Sequence, residues 1–215
     1  MKNKPMRTVE EIMDPSHTAL IVVDMQRDFC TQEGSFACSG LDVSAVRAII
    51  PPLQRLLEAA REAGVLPVFL QQMTLPGAAG DGDAWLAFKT RDGKSPEYAL
   101  AGSEGMEMIP ELSPRRGEIC VPKCRPSGFH GTFLDQILRA NGIRSVLVCG
   151  TRTEGCVLAT VLDASFYDYY TCVAEDCVAS SSQNMQEAAL AIMRSRYRML
   201  NSEEMIRLWS GPPAV

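Results

Sequence analysis

The chain has 215 residues, a formal net charge of -5, 46% hydrophobic residues and 22% charged residues. These values are typical of a globular α/β protein, and we predict one domain over residues 1–215. The acidic balance argues against nucleic acid as a partner, and the absence of any apolar run of roughly 18 residues argues against a membrane span.

The first third of the chain predicts two buried strands around one helix. The charged N-terminal segment, MKNKPMRTVEEIMDP, lacks the apolar core of a secretory signal, so we expect a cytoplasmic protein. Thr18–Val23 and Val65–Leu70 are continuous apolar and β-branched runs, typical of strands buried on both faces. Val43–Ala63 carries apolar residues at a helical period, and Pro51 and Pro52 mean that the helix either kinks or begins there.

Residues 71–117 are rich in Gly, Pro, Asp and Ser and show no regular period. A loop this long in a compact domain is a candidate lid or binding element. Its large apolar side chains are Trp85, Phe88 and Tyr98. They are suited either to anchoring the loop on the core or to contacting a ligand.

Strands and helices alternate in the second half of the chain. The predicted strands are Glu118–Pro122, Ser145–Cys149, Tyr170–Ala174 and Tyr197–Leu200, and the predicted helices are Thr132–Ala140, Cys156–Phe166, Gln183–Ser195 and Ser202–Trp209. This alternation predicts a parallel sheet with helices on both faces. Ligands of such sheets bind beyond the carboxyl ends of the strands, so the residues just past each strand are the candidates for a site.

Three reactive side chains occupy such positions. Asp24 ends the first strand, Lys123 ends the third, and Cys156 begins the helix after the fourth. With Thr153 as N-cap, that helix start is expected to lower the pKa of the thiol, and its amides would stabilise an oxyanion. Each residue also has an ordinary interpretation: a turn aspartate, a solvated lysine and a packing cysteine.

The other cysteines and the two histidines give no metal-binding pattern. The eight cysteines are spread from Cys30 to Cys177 in a chain large enough to fold without disulfides, so we expect most to be reduced. Cys120/Cys124 and Cys172/Cys177 lack a second pair or a histidine at zinc-finger spacing.

Three sequence blocks identify a family. VVDMQRDFC, VPKCRPSGFHGTFLDQILRANGI and VLVCGTRTEGCVLATVLDASFYDY resemble the isochorismatase-like cysteine hydrolases, which include nicotinamidases, N-carbamoylsarcosine amidase, and ureidoacrylate and biuret hydrolases. The resemblance implies a three-layer α/β/α, Rossmann-like fold with a six-stranded parallel sheet. It also implies a catalytic triad of Asp24, Lys123 and Cys156.

The resemblance implies further features around the triad. A non-proline cis peptide is expected between Thr151 and Arg152, with the amides of Arg152 and Cys156 as the oxyanion hole. Gln26 and Phe29 are expected near the substrate, although Phe29 is equally suited to packing and Gln26 to capping a turn. Arg152 and Glu154, which lie just before the nucleophile, are expected to tune specificity.

Departures from the family pattern narrow the expected reaction. The segment QQMTLPGAAGDGD lacks the histidines of metal-binding nicotinamidases, so neither a metal nor another cofactor is expected, and nicotinamide is doubtful as substrate. The expected activity is hydrolysis of a C–N bond in a small amide, carbamoyl or ureido compound through a thioester. The alternatives are an isochorismatase-type vinyl ether hydrolase and a non-catalytic small-molecule-binding member.

Several points stay open at this stage. The resemblance implies a homo-oligomer, either a dimer or a tetramer. The exact substrate depends on the 71–117 loop, and His130 and Cys124 are suited either to the pocket or to a bystander role.

Overall fold

The structure, a computed structural model, describes residues 4–91, 93, 95 and 97–211; the other positions of the predicted domain lie outside the described residues. Its strands are β1 (Thr18–Val23), β2 (Leu66–Gln72), β3 (Ile119–Lys123), β4 (Ser145–Thr151), β5 (Tyr170–Ala179) and β6 (Arg198–Leu200). Its α-helices are α1 (Val9–Ile12), α2 (Arg27–Cys30), α3 (Ser35–Cys38), α4 (Ser44–Ala48), α5 (Ile50–Ala63), α6 (Asp83–Thr90), α7 (Leu134–Ala140), α8 (Leu158–Phe166), α9 (Gln183–Arg194) and α10 (Ser202–Trp209). No described helix is long and apolar enough to cross a membrane.

The six strands form one parallel sheet in the order β3-β2-β1-β4-β5-β6, which confirms the predicted fold class. The chain winds outward from β1 to β3 and then, from β4, in the opposite direction, so the strand order reverses between β1 and β4. A crevice opens at such a reversal because the connections on its two sides cover opposite faces of the sheet. The carboxyl ends of β1 and β4 therefore border the expected ligand-binding site.

Both faces of the sheet are covered by helices, as the apolar strands require. On one face, Leu20 and Val22 of β1 pack in a core that includes side chains of α5 and α10. On the other face, Ile21 and Val23 pack with side chains of α7, α8 and α9. Alternate residues of one buried strand thus join two cores, which fixes the register of β1 and the position of Asp24 at its end.

Three predicted elements differ from the structure in instructive ways. The helical pattern over Val43–Ala63 is two helices, and the second begins at Ile50 because Pro51 and Pro52 fit its first turn. The predicted loop 71–117 contains α6, whose weak apolar pattern did not reveal it. Strand β5 continues past Ala174 to Ala179, through Glu175 and Asp176, whose charges have partners: Glu175 pairs with Arg194, and Asp176 accepts hydrogen bonds from Ser202.

Gly150 brings β4 against the end of β1. Its φ is 111°, in a region that side chains disfavour, and a Cβ atom added there would lie 2.2 Å from the carbonyl oxygen of Val23. The contact lies immediately before Asp24 in the chain, so this glycine sets how closely the two strands approach beside the site.

We therefore expect Gly150→Ala to be strongly destabilising. Strained φ and overpacking together should lower the free energy of unfolding by about 2–4 kcal/mol, measured by thermal or denaturant unfolding. Gly64→Ala is the matched control, because Gly64 also has positive φ (78°) but no atom within 4 Å of an added Cβ. That control should cost only about 1 kcal/mol. Equal stability of the two variants would contradict the steric argument.

Candidate active site

Asp24 is buried directly after β1, with its carboxylate held on two sides. Its backbone φ is 50°, and its amide donates to the Leu70 carbonyl at 3.0 Å. Oδ1 accepts from the amide of Gln72 at 3.0 Å, and Oδ2 accepts from Lys123 Nζ at 2.8 Å. The end of β2 and the end of β3 thus fix the orientation of a carboxylate that is 1% exposed.

Lys123 is equally buried, and its ammonium has three acceptors. Besides Asp24 it donates to Gln72 Oε1 at 3.1 Å and to the carbonyl of Arg125 at 3.3 Å. Burial alone lowers the pKa of this lysine, but the Asp24 carboxylate and the Cys156 sulfur more than offset burial, so the net shift is upward. Lys123 is therefore a permanent cation at neutral pH, suited to stabilising anions rather than to accepting protons.

Cys156 lies in a π-helical turn, Thr153–Val157, that leads into α8. Its half-buried thiol is in side-chain contact with both Asp24 and Lys123. The three predicted residues are thus brought together, from the ends of β1 and β3 and from the turn after β4.

The expected thiolate at a helix N-terminus is wrong in two respects. The residue capping the turn is Arg152 rather than Thr153, whose buried hydroxyl oxygen has no partner among the described residues. Burial, and secondarily the Asp24 carboxylate, raise the pKa of Cys156 to about 12 even though Lys123 opposes the shift. The resting thiol is therefore protonated at neutral pH and needs a base to be activated.

The backbone directly before the turn contains a cis peptide bond, between Thr151 and Arg152. Thr151 is fully buried and its hydroxyl donates to the Ala179 carbonyl at 3.0 Å. The Arg152 carbonyl accepts from the amides of Gly155 at 3.0 Å and Val157 at 3.1 Å, which closes the turn around Cys156.

Gln26 and Phe29 have their side chains engaged within the protein. Gln26 Nε2 donates to the carbonyls of Gln72 (2.9 Å) and Met106 (2.8 Å), and its Oε1 accepts from the Gln72 amide at 2.8 Å. Phe29, 5% exposed, packs edge-on against Phe36 and Tyr98 with ring centroids 4.7 and 5.9 Å away. The contacts of Phe29 fit the packing interpretation. Gln26 is the N-cap residue of α2, but its side chain makes no capping hydrogen bond and instead bonds to Gln72 and Met106. Contact of either residue with the substrate stays a prediction.

Gln72 is the residue that sequence reasoning missed. Its amide donates to Asp24, its side-chain oxygen accepts from Lys123, and it pairs with Gln26. Its place at the end of β2, between the strands that carry Asp24 and Lys123, was the available signal. A residue at the carboxyl end of a parallel strand is a candidate for the site even when its side chain is uncharged.

The 71–117 segment contacts residues beside the site: the Met106 carbonyl accepts from Gln26 Nε2, and Tyr98 packs edge-on against Phe29. Burial raises the pKa of Tyr98 to about 12. The Lys89 ammonium lies 4.8 Å from the ring of Tyr98 and pairs with Asp81 at 2.8 Å, and both side chains are buried. Both partners belong to the segment, so this ion pair stabilises its internal structure, and Asp81 also pairs with Arg125 at 3.2 Å, which joins the segment to the chain after β3.

His130 and Cys124 have no hydrogen bond or ion pair with the triad among the contacts of the described residues. His130 is exposed, and Cys124 is half-buried with its carbonyl accepting from Arg125 Nη1 at 2.7 Å. Among the described residues no group of three or more His, Cys, Asp or Glu side chains is arranged to hold a metal ion.

Known proteins resemble this chain in both sequence and structure. The family model described as Isochorismatase domain matches residues 18–204. Ureidoacrylate amidohydrolase RutB of Enterobacter sp. (strain 638) is 34% identical over 201 residues, covering 88% of this chain and 87% of the relative.

Two solved structures have the same fold. The cysteine hydrolase from Pseudomonas syringae pv. phaseolicola 1448A has a TM-score of 0.82 at 28% identity, over 98% of this chain and 99% of its own. N-carbamoylsarcosine amidase from Thermoplasma acidophilum has a TM-score of 0.68 at 27% identity, over 87% of this chain and 97% of its own. The chain belongs to the isochorismatase family, as the sequence blocks predicted.

Proposed function

We propose that this family member is a cysteine-dependent amidohydrolase that cleaves a C–N bond of a small amide, carbamoyl or ureido compound through a thioester. The observation that carries the proposal is the contact of one thiol, Cys156, with a buried carboxylate and a buried ammonium that are themselves 2.8 Å apart. The amidohydrolase activities named for the relatives support this reaction class.

The raised pKa of Cys156 assigns the first proton transfer. Asp24, held by Gln72 and Lys123, takes the thiol proton as the sulfur attacks the substrate carbonyl carbon. Removing the proton only at the moment of attack avoids a buried thiolate in the resting enzyme. The amides of Arg152 and Cys156 are the proposed donors to the oxyanion that forms.

The same carboxyl group completes the reaction. Protonated Asp24 returns its proton to the leaving nitrogen, the C–N bond breaks, and ammonia or an amine departs from the thioester. Asp24, again ionised, then accepts a proton from water as the water attacks the thioester, and the returning proton restores the thiol. Lys123 stays protonated throughout and offsets the negative charge that passes between Asp24 and the sulfur.

Ammonia release from a panel of substrates tests this function. We expect turnover of at least one compound among primary amides, N-carbamoyl amino acids, ureidoacrylate and biuret, measured by a coupled ammonia assay. Nicotinamide is the comparison compound, because the segment QQMTLPGAAGDGD lacks the histidines of metal-binding nicotinamidases. Release of ammonia from none of them would contradict the proposal.

Three broader expectations remain predictions. These are the single-domain organisation, the cytoplasmic location and the homo-oligomer of two or four copies. Light scattering coupled to size-exclusion chromatography measures the number of copies directly.

A further inference from the structure

Arg152 and Glu154 form an ion pair at the turn that holds the nucleophile. Arg152 Nε donates to Glu154 Oε1 at 2.9 Å, and Nη2 of the same guanidinium donates to the same oxygen. Glu154 is two residues before Cys156 in the turn Thr153–Val157. The pair is thus part of the backbone segment that positions the sulfur.

An aromatic ring lies next to the guanidinium of this ion pair. The guanidinium of Arg152 lies over the ring of Phe36, 5.5 Å from its centroid, and Phe36 packs edge-on against Tyr98 at 5.9 Å. Phe36 and Tyr98 both also pack edge-on against Phe29 of α2, the helix that follows Asp24 in the chain. The Arg152 guanidinium and the rings of Phe36 and Tyr98, which we call the aromatic wall, therefore extend from the turn that holds Glu154 and Cys156 toward the segment after Asp24.

One oxygen of Glu154 is left without a donor. The side chain is 10% exposed, yet no group in the described part of the chain donates to Oε2, whereas Arg152 occupies Oε1 alone. A buried carboxylate oxygen without a donor is costly, and native proteins supply a partner for nearly all such atoms. A ligand N–H group would supply the missing hydrogen bond.

We propose that Glu154 Oε2 accepts a hydrogen bond from the substrate nitrogen that is retained during cleavage, so that the enzyme selects ureido compounds bearing an N–H there. This inference rests on the proposed function. A planar ureido carbon has three substituents: its oxygen faces the oxyanion donors, and its leaving nitrogen faces Asp24. In the proposed complex the third substituent, the retained nitrogen, would lie on the side away from Asp24, where the unpartnered Oε2 of Glu154, in the same turn as Cys156, would be its acceptor.

N-carbamoylglycine and N-carbamoylsarcosine form a matched pair of probes, because they differ only by a methyl group on the retained nitrogen. Wild-type enzyme should favour N-carbamoylglycine in kcat/KM by about 10- to 100-fold, the value of one hydrogen bond to a charged acceptor. Glu154→Gln keeps an oxygen for Arg152 but places an amide NH₂ where Oε2 was. The variant should reduce the preference to about twofold or less.

Glu58→Gln is the control, since Glu58 also pairs with an arginine, Arg61, but lies on α5. It should leave the preference unchanged. If Glu154→Gln is too slow to assay, calorimetric dissociation constants for the two probes in a Cys156→Ala background give the same ratio. A preference that is absent from the wild type, or that survives in Glu154→Gln, overturns the inference. Turnover of other amides but of neither probe also overturns it while the proposed function stands; no turnover of any compound counts against the proposed function itself.

Discussion

Replacing Cys156 with alanine should reduce kcat by at least about 10,000-fold while the protein stays folded, because the covalent step is lost. Serine should not restore activity, since its hydroxyl is far less acidic than a thiol and Asp24 would have to remove a much more tightly held proton. Steady-state ammonia release measures the loss, and circular dichroism shows whether the fold is intact. Cys156 is half-buried, so truncation of this small side chain should change the free energy of unfolding by no more than about 1–2 kcal/mol.

Cys120→Ala is the matched control for this variant. Cys120 is an exposed cysteine on β3, three residues before Lys123, so its removal should leave kcat unchanged. Retained ammonia release by Cys156→Ala would contradict the thioester mechanism. No ammonia release by the wild type from any panel compound would leave the vinyl ether and non-catalytic alternatives, and turnover of a vinyl ether would favour the first of these two.

Lys123→Met should abolish activity and also destabilise the fold. The substitution leaves the Asp24 carboxylate buried without its cation, and loss of one partner of a buried ion pair typically costs about 3–5 kcal/mol. For a chain of this size that corresponds to a fall of roughly 10 °C in the melting temperature. Calorimetry or thermal circular dichroism measures it, alongside the ammonia assay.

The double variant Asp24→Asn/Lys123→Met separates the two effects. It removes both charges, so it should recover most of the lost stability while remaining inactive. A Lys123→Met variant as stable as the wild type would show that the ion pair is not buried as the structure has it. A double variant with normal turnover would show that neither charge takes part in the reaction.

The positions of the triad were predictable because each follows a strong strand. The runs before Asp24 and Lys123 and the run Ser145–Cys149 are apolar and short, which predicts parallel strands, and parallel strands bring their carboxyl ends to one edge. The grouping of Asp24, Lys123 and Cys156 is a consequence of that topology. The family blocks then associated these three residues with a reaction.

The protonation state of the nucleophile was not predictable in the same way. A helix start suggests a low thiol pKa, but the shift depends on burial and on the carboxylate that the fold brings beside the sulfur. These are long-range effects: Asp24 is far from Cys156 in the sequence. The support roles of Gln26 and Gln72 depend in the same way on contacts between β1, β2 and β3 that no local pattern records.

Helix α6 and the far half of β5 were missed for local reasons. The segment Asp83–Thr90 lies among glycines and prolines and buries no residue fully, so its period is weak. In β5 the charges of Glu175 and Asp176 interrupt the apolar run, and only their distant partners, Arg194 and Ser202, show why a strand tolerates them. In β5 these tertiary contacts override the local pattern.

Mass spectrometry of the enzyme quenched in acid during turnover tests the central claim most directly. The proposed mechanism predicts a covalent adduct on the peptide that contains Cys156, with a mass increase equal to the substrate minus the departing ammonia or amine. The adduct should form with any compound of the panel that is turned over, and it should be absent from Cys156→Ala. Sustained ammonia release with Cys156 unmodified at every time point, or an adduct on another residue, would contradict a thioester at Cys156.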